Sequence, residues 1–150
     1  MATKQSQPKL DPAHCAFKLK LGRSRIHRLG VFAAERIPPR RKVMEYTGEM
    51  VNRRETKRRV EADKDHIYLF AVNHYWARDG AVGGSGAEFV NHCCEPNCRA
   101  QVIAQRIFYF SLREIQPGEE ITLDYNFQKR ADRYDCRCGA PGCRGTINAV

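Results

Sequence analysis

The sequence predicts a β-rich α+β domain. Three observations carry that reading. Short stretches of β-branched and aromatic residues recur between turn signals, only one segment has a clear helix start, and cysteines gather in two clusters far apart in the chain. At 150 residues the chain fits one domain, and that length buries an adequate core unaided.

Residues 1–14 are polar, carry Pro8 and Pro12, and are predicted to form a flexible tail. From Phe17 onward, segments 25–33, 42–46, 67–72, 106–112 and 120–125 have the composition of strands. Gln116-Pro117-Gly118-Glu119 offers a hairpin turn between the last two. The helix starts at Asn52, whose side chain can cap it. Glu55, three residues on, completes a capping box and pairs with Arg59 at i,i+4. Residues 80–86 include four glycines and form a flexible connection into Asn91-His92. No internal repeat is present.

The charge balance constrains the partner. A net charge of +9 and a pI near 9.4 favour something acidic. Any one basic group suits a solvated face. Three such groups lie in the first half: Arg23, Arg25 and Arg28; Arg40, Arg41 and Lys42; then Arg53, Arg54, Lys57, Arg58 and Arg59. Together they point to nucleic acid or nucleoprotein, giving affinity rather than sequence recognition. No apolar run approaches the ~20 residues that span a bilayer, and the polar N-terminus has no signal-peptide core. An intracellular protein with reduced cysteines is therefore expected.

Seven cysteines are an odd number, as suits thiols and metal ligands rather than disulfides. Cys136-Arg137-Cys138 and Cys143 place three thiols in a tight loop that also holds Gly139, Pro141 and Gly142. A structural zinc site needs four ligands in a tetrahedron. The fourth is sought in Asn91-His92-Cys93-Cys94-Glu95-Pro96-Asn97-Cys98, the other stretch dense in thiols. Such a bridge pins the C-terminal segment against the chain near position 94.

Five stretches in order resemble the SET-domain protein lysine methyltransferases that carry a post-SET zinc loop. They are Ser24-Arg25-Ile26-His27-Arg28-Leu29-Gly30-Val31-Phe32, Glu45-Tyr46-Thr47-Gly48-Glu49, Asn91 to Asn97, Gly118-Glu119-Glu120-Ile121-Thr122-Leu123-Asp124-Tyr125, and Cys136 to Gly145. The resemblance implies a SET fold of several small twisted sheets with a C-terminal pseudoknot. It divides the chain into the tail 1–14, a SET domain over 15–128 and a post-SET zinc-binding segment over 129–150. It further implies S-adenosylmethionine as methyl donor, a lysine ε-amine as acceptor, and one structural zinc held by Cys94, Cys136, Cys138 and Cys143. Cys93 and Cys98 are left as core thiols.

By the same resemblance Tyr125 is the main catalytic tyrosine, with Tyr46 beside it. Tyr46, Leu123 and Tyr125 line the lysine channel, and Arg28, Leu29, Tyr68, Asn91 and His92 bind the cofactor. Tyr46 and Tyr68 suit a core equally well. An ammonium must lose its proton before it can attack a methyl group, and its ordinary pKa is about 10.4. A narrow aromatic channel lowers that value by desolvation and guides the cation in. The implied substrate is a histone tail, a nucleosome or another nucleic-acid-associated protein. The implied place is the nucleus in a eukaryote, and the cytoplasm or host nucleus for a bacterial or viral source.

Three positions depart from the family pattern. Arg28 stands where a glycine is usual, Glu88 where an arginine is common near the cofactor, and Leu123 where a Phe or Tyr limits the number of methyls added. Arg28 and Glu88 favour a second reading, a catalytically inactive, zinc-stabilised SET-like module that binds chromatin or nucleic acid. The complete set Tyr125, Tyr46, Asn91 and His92 opposes it.

Overall fold

Ten short strands pair into four small sheets, accompanied by one α-helix and two single-turn 3-10 helices, in a computed structural model that describes residues 7–126 and 133–148. The strands are β1 (Leu19–Arg23), β2 (Leu29–Ala33), β3 (Lys42–Tyr46), β4 (Glu49–Asn52), β5 (Leu69–Ala71), β6 (Trp76–Asp79), β7 (Asn91–His92), β8 (Cys98–Ile103), β9 (Arg106–Ser111) and β10 (Thr122–Leu123), and the helix is α1 (Arg53–Ala62). The sheets are β1-β2, β3-β9-β8, β4-β6-β5 and the parallel pair β7-β10.

The core lies where β2, β3, β9 and β10 converge, around Val31, Val43, Met44, Ile107, Tyr109 and Leu123. Strand alternation explains the central strand: Ile107, Tyr109 and Ser111 turn inward, while Phe108 and Phe110 turn outward. Lys42 and Arg106 each lie 5.0 Å from the Phe108 ring, and Arg99 lies 5.1 Å from that of Phe110. Cations on aliphatic stems thus cover the outer aromatic face.

Several expectations are corrected. The strand expected over 25–33 is a hairpin arm preceded by a turn. The Ser24 hydroxyl accepts from the Ile26 N–H at 2.9 Å, Ser24 N–H donates to Arg28 O at 2.8 Å, and only Leu29–Ala33 pairs, with β1. The local serine bond outcompetes the ladder. Gln116 to Glu119 does turn, with Gly118 at φ 89, but it makes no hairpin. Strand β9 pairs with β3 and β8, whereas the chain after the turn returns to β2 and β7. The segment 120–125 is regular only at Thr122–Leu123.

The helix begins as expected, with Asn52 Oδ1 accepting from the Glu55 N–H at 2.9 Å. The Glu55 carboxylate is held by Arg58 and Arg59. Within the N-terminal segment, residues 1–6 lie outside the described residues. From Leu10 onward the chain is docked: Leu10 packs on the core and Asp11 N–H donates to Ser85 O at 2.8 Å. The expected boundary between residues 128 and 129 also lies outside the described residues.

Candidate active site

Tyr46 ends β3, and strand alternation turns it inward, where its ring meets Phe70 at 5.3 Å and Tyr109 at 6.3 Å. These rings wall a cavity of about 370 Å3 together with Tyr68 and Tyr125, a size typical of small-molecule sites. The Tyr46 hydroxyl donates to Tyr68 O, and the Tyr125 hydroxyl donates to Val90 O at 2.5 Å. Burial pushes both phenols well above their ordinary range. Both are therefore neutral donors at physiological pH. A second depression, of about 400 Å3, lies at Leu10, Phe17 and Glu35 and holds no tyrosine.

The parallel register of β7 and β10 sets Thr122 beside Asn91 and Leu123 beside His92. The Asn91 amide donates to His27 O at 3.1 Å, Leu29 O at 2.9 Å and Glu120 Oε1 at 2.9 Å. It therefore fixes the backbone of the loop that carries Arg28. Gly30 admits the Glu120 carboxylate, because a methyl group there would collide with it. The His92 ring accepts from the Tyr125 backbone N–H through Nδ1 at 3.1 Å and stacks edge-on against the Tyr125 ring at 5.3 Å. Burial holds His92 below its ordinary pKa, so the ring is neutral with its hydrogen on Nε2. That hydrogen faces Cys94 Sγ at 3.5 Å.

The sulfurs of Cys94, Cys136, Cys138 and Cys143 lie within 4.8 Å of one another, a group that could hold a metal ion. Cys94 is 3.7 Å from Cys136 and 3.9 Å from Cys143. A tetrahedron with metal–sulfur bonds of about 2.3 Å has edges of about 3.8 Å, which the two Cys94 edges match, and four thiols are the donor set of a structural zinc site. Arg144 and Gly145 each donate a backbone N–H to a cluster sulfur at 3.4 Å, as a thiolate cluster requires. Burial raises Cys98 to about 12 and Cys93 to about 11, which keeps both as thiols.

Tyr46, Tyr68 and Tyr125 thus come together, His92 abuts them from behind, and Cys94 meets the C-terminal thiols. Leu123 is buried in the core, and the cavity is walled without it. Arg28 is exposed and contacts His66 at 2.7 Å. Glu88 stands in the cavity wall with Gly86 N–H donating to it at 3.0 Å, and no cation pairs with it among the described residues. Burial raises its carboxyl above the ordinary value.

Sequence reasoning missed three supports. Glu120 accepts from Ser24 and Asn91. Asn97 donates to Glu120 O and accepts from Thr122 N–H. Arg144 grips Asp124. All three lie inside the motifs named above, Asn97 in Asn91 to Asn97, Glu120 in Gly118 to Tyr125 and Arg144 in Cys136 to Gly145, but nothing local marks their partners.

Residues 28–126 match the family model described as SET domain. The histone-lysine N-methyltransferase, H3 lysine-4 specific, of Schizosaccharomyces pombe is 39% identical over 142 residues, covering 87% of this chain and 15% of that protein. Histone-lysine N-methyltransferase SETD1A of Homo sapiens is 42% identical over 139 residues, covering 87% of this chain and 8% of that protein. Histone-lysine N-methyltransferase set-2 of Caenorhabditis elegans is 38% identical over 138 residues, covering 87% and 9%. The chain therefore spans a small part of the length of the curated relatives it matches.

Proposed function

The chain belongs to the SET-domain family, and from that premise we propose that it is a protein lysine methyltransferase acting on a histone tail or another nucleic-acid-associated protein. The observation that carries the reading is that Tyr46 and Tyr125 share the wall of one aromatic cavity, with His92 linking Tyr125 to the four-cysteine cluster. The similarity to histone-lysine N-methyltransferases described above supports it. It also favours the nucleus and chromatin as its place.

S-adenosylmethionine supplies a methyl group on a sulfonium centre. Tyr68 and the backbones of His92 and of Arg28–Leu29 would hold it, with Asn91 fixing the Leu29 backbone. The aromatic wall strips water from the incoming ammonium and lowers its pKa. Tyr125 and Tyr46 align the neutral amine, and alignment accounts for much of the rate. Cys94, Cys136, Cys138 and Cys143 would hold a structural zinc that ties the post-SET segment to the SET domain. Leu123 stands outside the cavity wall and brings no hydroxyl to it, so more than one methyl is added. A product carrying a single methyl in mass spectrometry would refute that last point.

One observation favours the inactive module: Glu88 stands in the cavity wall with no cation partner among the described residues, where it would repel an anionic group of the donor. Calorimetric titration with S-adenosylmethionine separates the readings. Saturable binding by the wild-type protein supports the enzyme. Binding by Glu88→Gln alone supports the inactive module, and binding by neither refutes the enzyme.

A further inference from the structure

Two routes run from Cys94 to the backbone around Tyr125. The first is the His92 ring, with Nε2 toward Cys94 and Nδ1 on the Tyr125 N–H. The second runs through Arg144. Its backbone N–H donates to Cys94 Sγ at 3.4 Å, while its guanidinium forks onto Asp124 at 2.8 Å and 3.2 Å and also donates to Ile147 O at 3.1 Å. Asp124 immediately precedes Tyr125, and both members of the pair are about four-fifths buried.

We propose that Arg144 is a positioning residue that ties the closed cysteine cluster to Tyr125, so that metal closure fixes where the tyrosine stands. Arg144 follows Cys143 directly, so closing the cluster sets where its backbone sits. The fork onto Asp124 then carries that placement twenty residues back along the chain. A fork with two parallel bonds constrains direction as well as distance, and Lys cannot reproduce it. A divalent ion on four thiolates leaves net negative charge, which the adjacent guanidinium offsets. The Asn126 N–H closes a turn onto the free side of Asp124 Oδ1 at 3.0 Å. Asp124 is thereby held from both flanks, and Tyr125 stands between them.

The inference rests on the reading of Tyr125 as the catalytic tyrosine, and its test is chosen to be readable without activity. Full-length protein is labelled with 3-fluorotyrosine, and the Tyr125 resonance is assigned by its loss in Tyr125→Phe. Metal content is measured in parallel. In Arg144→Gln one zinc per chain is retained, the Tyr125 resonance shifts toward its position in the chelated protein, and Asp124→Asn gives the same shift. Arg144→Lys recovers only part of it. Where transfer activity is present, kcat falls on the order of 10- to 100-fold in Arg144→Gln while KM holds, as misplacement of a reacting group predicts. The double variant with Asp124→Asn falls no further. An unmoved Tyr125 resonance in both single variants overturns the proposal, as does loss of zinc from Arg144→Gln, which assigns the arginine to the metal alone. A shifted resonance in a protein without transferase activity upholds the coupling and counts only against the function.

Discussion

Arg28 holds φ 43, in the left-handed region where a Cβ crowds its own backbone. A glycine there avoids that crowding, which is worth roughly 1 kcal/mol. The Arg28–His66 contact is exposed and gives little in return. Arg28→Gly is therefore predicted to leave stability unchanged or to raise it by up to about 1 kcal/mol in urea denaturation. A clear loss would show that the His66 contact matters more than its exposure suggests. Gly30 is the opposite case, because its Cα faces the Glu120 carboxylate that Ser24 and Asn91 hold. Gly30→Ala displaces that carboxylate and is predicted to cost about 2 kcal/mol or more in the same measurement. That Tyr46 and Tyr125 share a cavity and that Cys94 meets the C-terminal thiols was legible in the sequence, because each lies in a contiguous motif; Tyr68 lies in none. The roles of Arg144 and Glu120 were not, although both lie inside the motifs, since Arg144 meets Asp124 across 20 residues and Glu120 meets Ser24 across 96.

Segments that pair through the backbone were read with uneven success for a physical reason. Strands β3 and β9 are runs of apolar and aromatic residues long enough to signal themselves. Strand β4 ends on the residue that caps α1, so the helix signal masks it. The pair β7-β10 is two residues long, and its register is decided by tertiary contacts rather than by local preference. Asn97 supplies one of those contacts, because its amide spans the Glu120 carbonyl and the Thr122 N–H in a buried setting. Asn97→Ala strands both groups and is predicted to cost about 3 kcal/mol, with looser protection of the Thr122 amide in hydrogen exchange. The cysteine cluster acts at the same scale. Metal analysis should find one zinc per chain, and chelation or Cys138→Ser should expose segment 133–148 to protease. A wild-type protein that carries no metal, yet resists cleavage there, would contradict that role.

Burial of neutral phenols makes the stability of the whole molecule depend on alkaline pH. Tyr46, Tyr109 and Tyr125 are all raised above the ordinary tyrosine value, chiefly by desolvation. The unfolded chain releases these protons near pH 10, while the folded chain keeps them. The unfolded state then binds fewer protons, so stability falls as pH rises through about 10 and is fully present below it. Urea midpoints compared at about pH 8 and about pH 10.5 should show that loss, and Tyr109→Phe should reduce it. At this scale the fold class and the family were legible before any coordinates, because five ordered motifs span most of the chain. The Arg144–Asp124 coupling needed the structure, as did the cavity wall that omits Leu123. The most direct measurement of the central claim is methyl transfer from labelled S-adenosylmethionine to core histones and nucleosomes, with Tyr125→Phe as control. The account predicts label on histone lysines that falls at least 10²-fold, to order of magnitude, in the variant. Equal label in both proteins, or none with folded, zinc-loaded wild type, would contradict it.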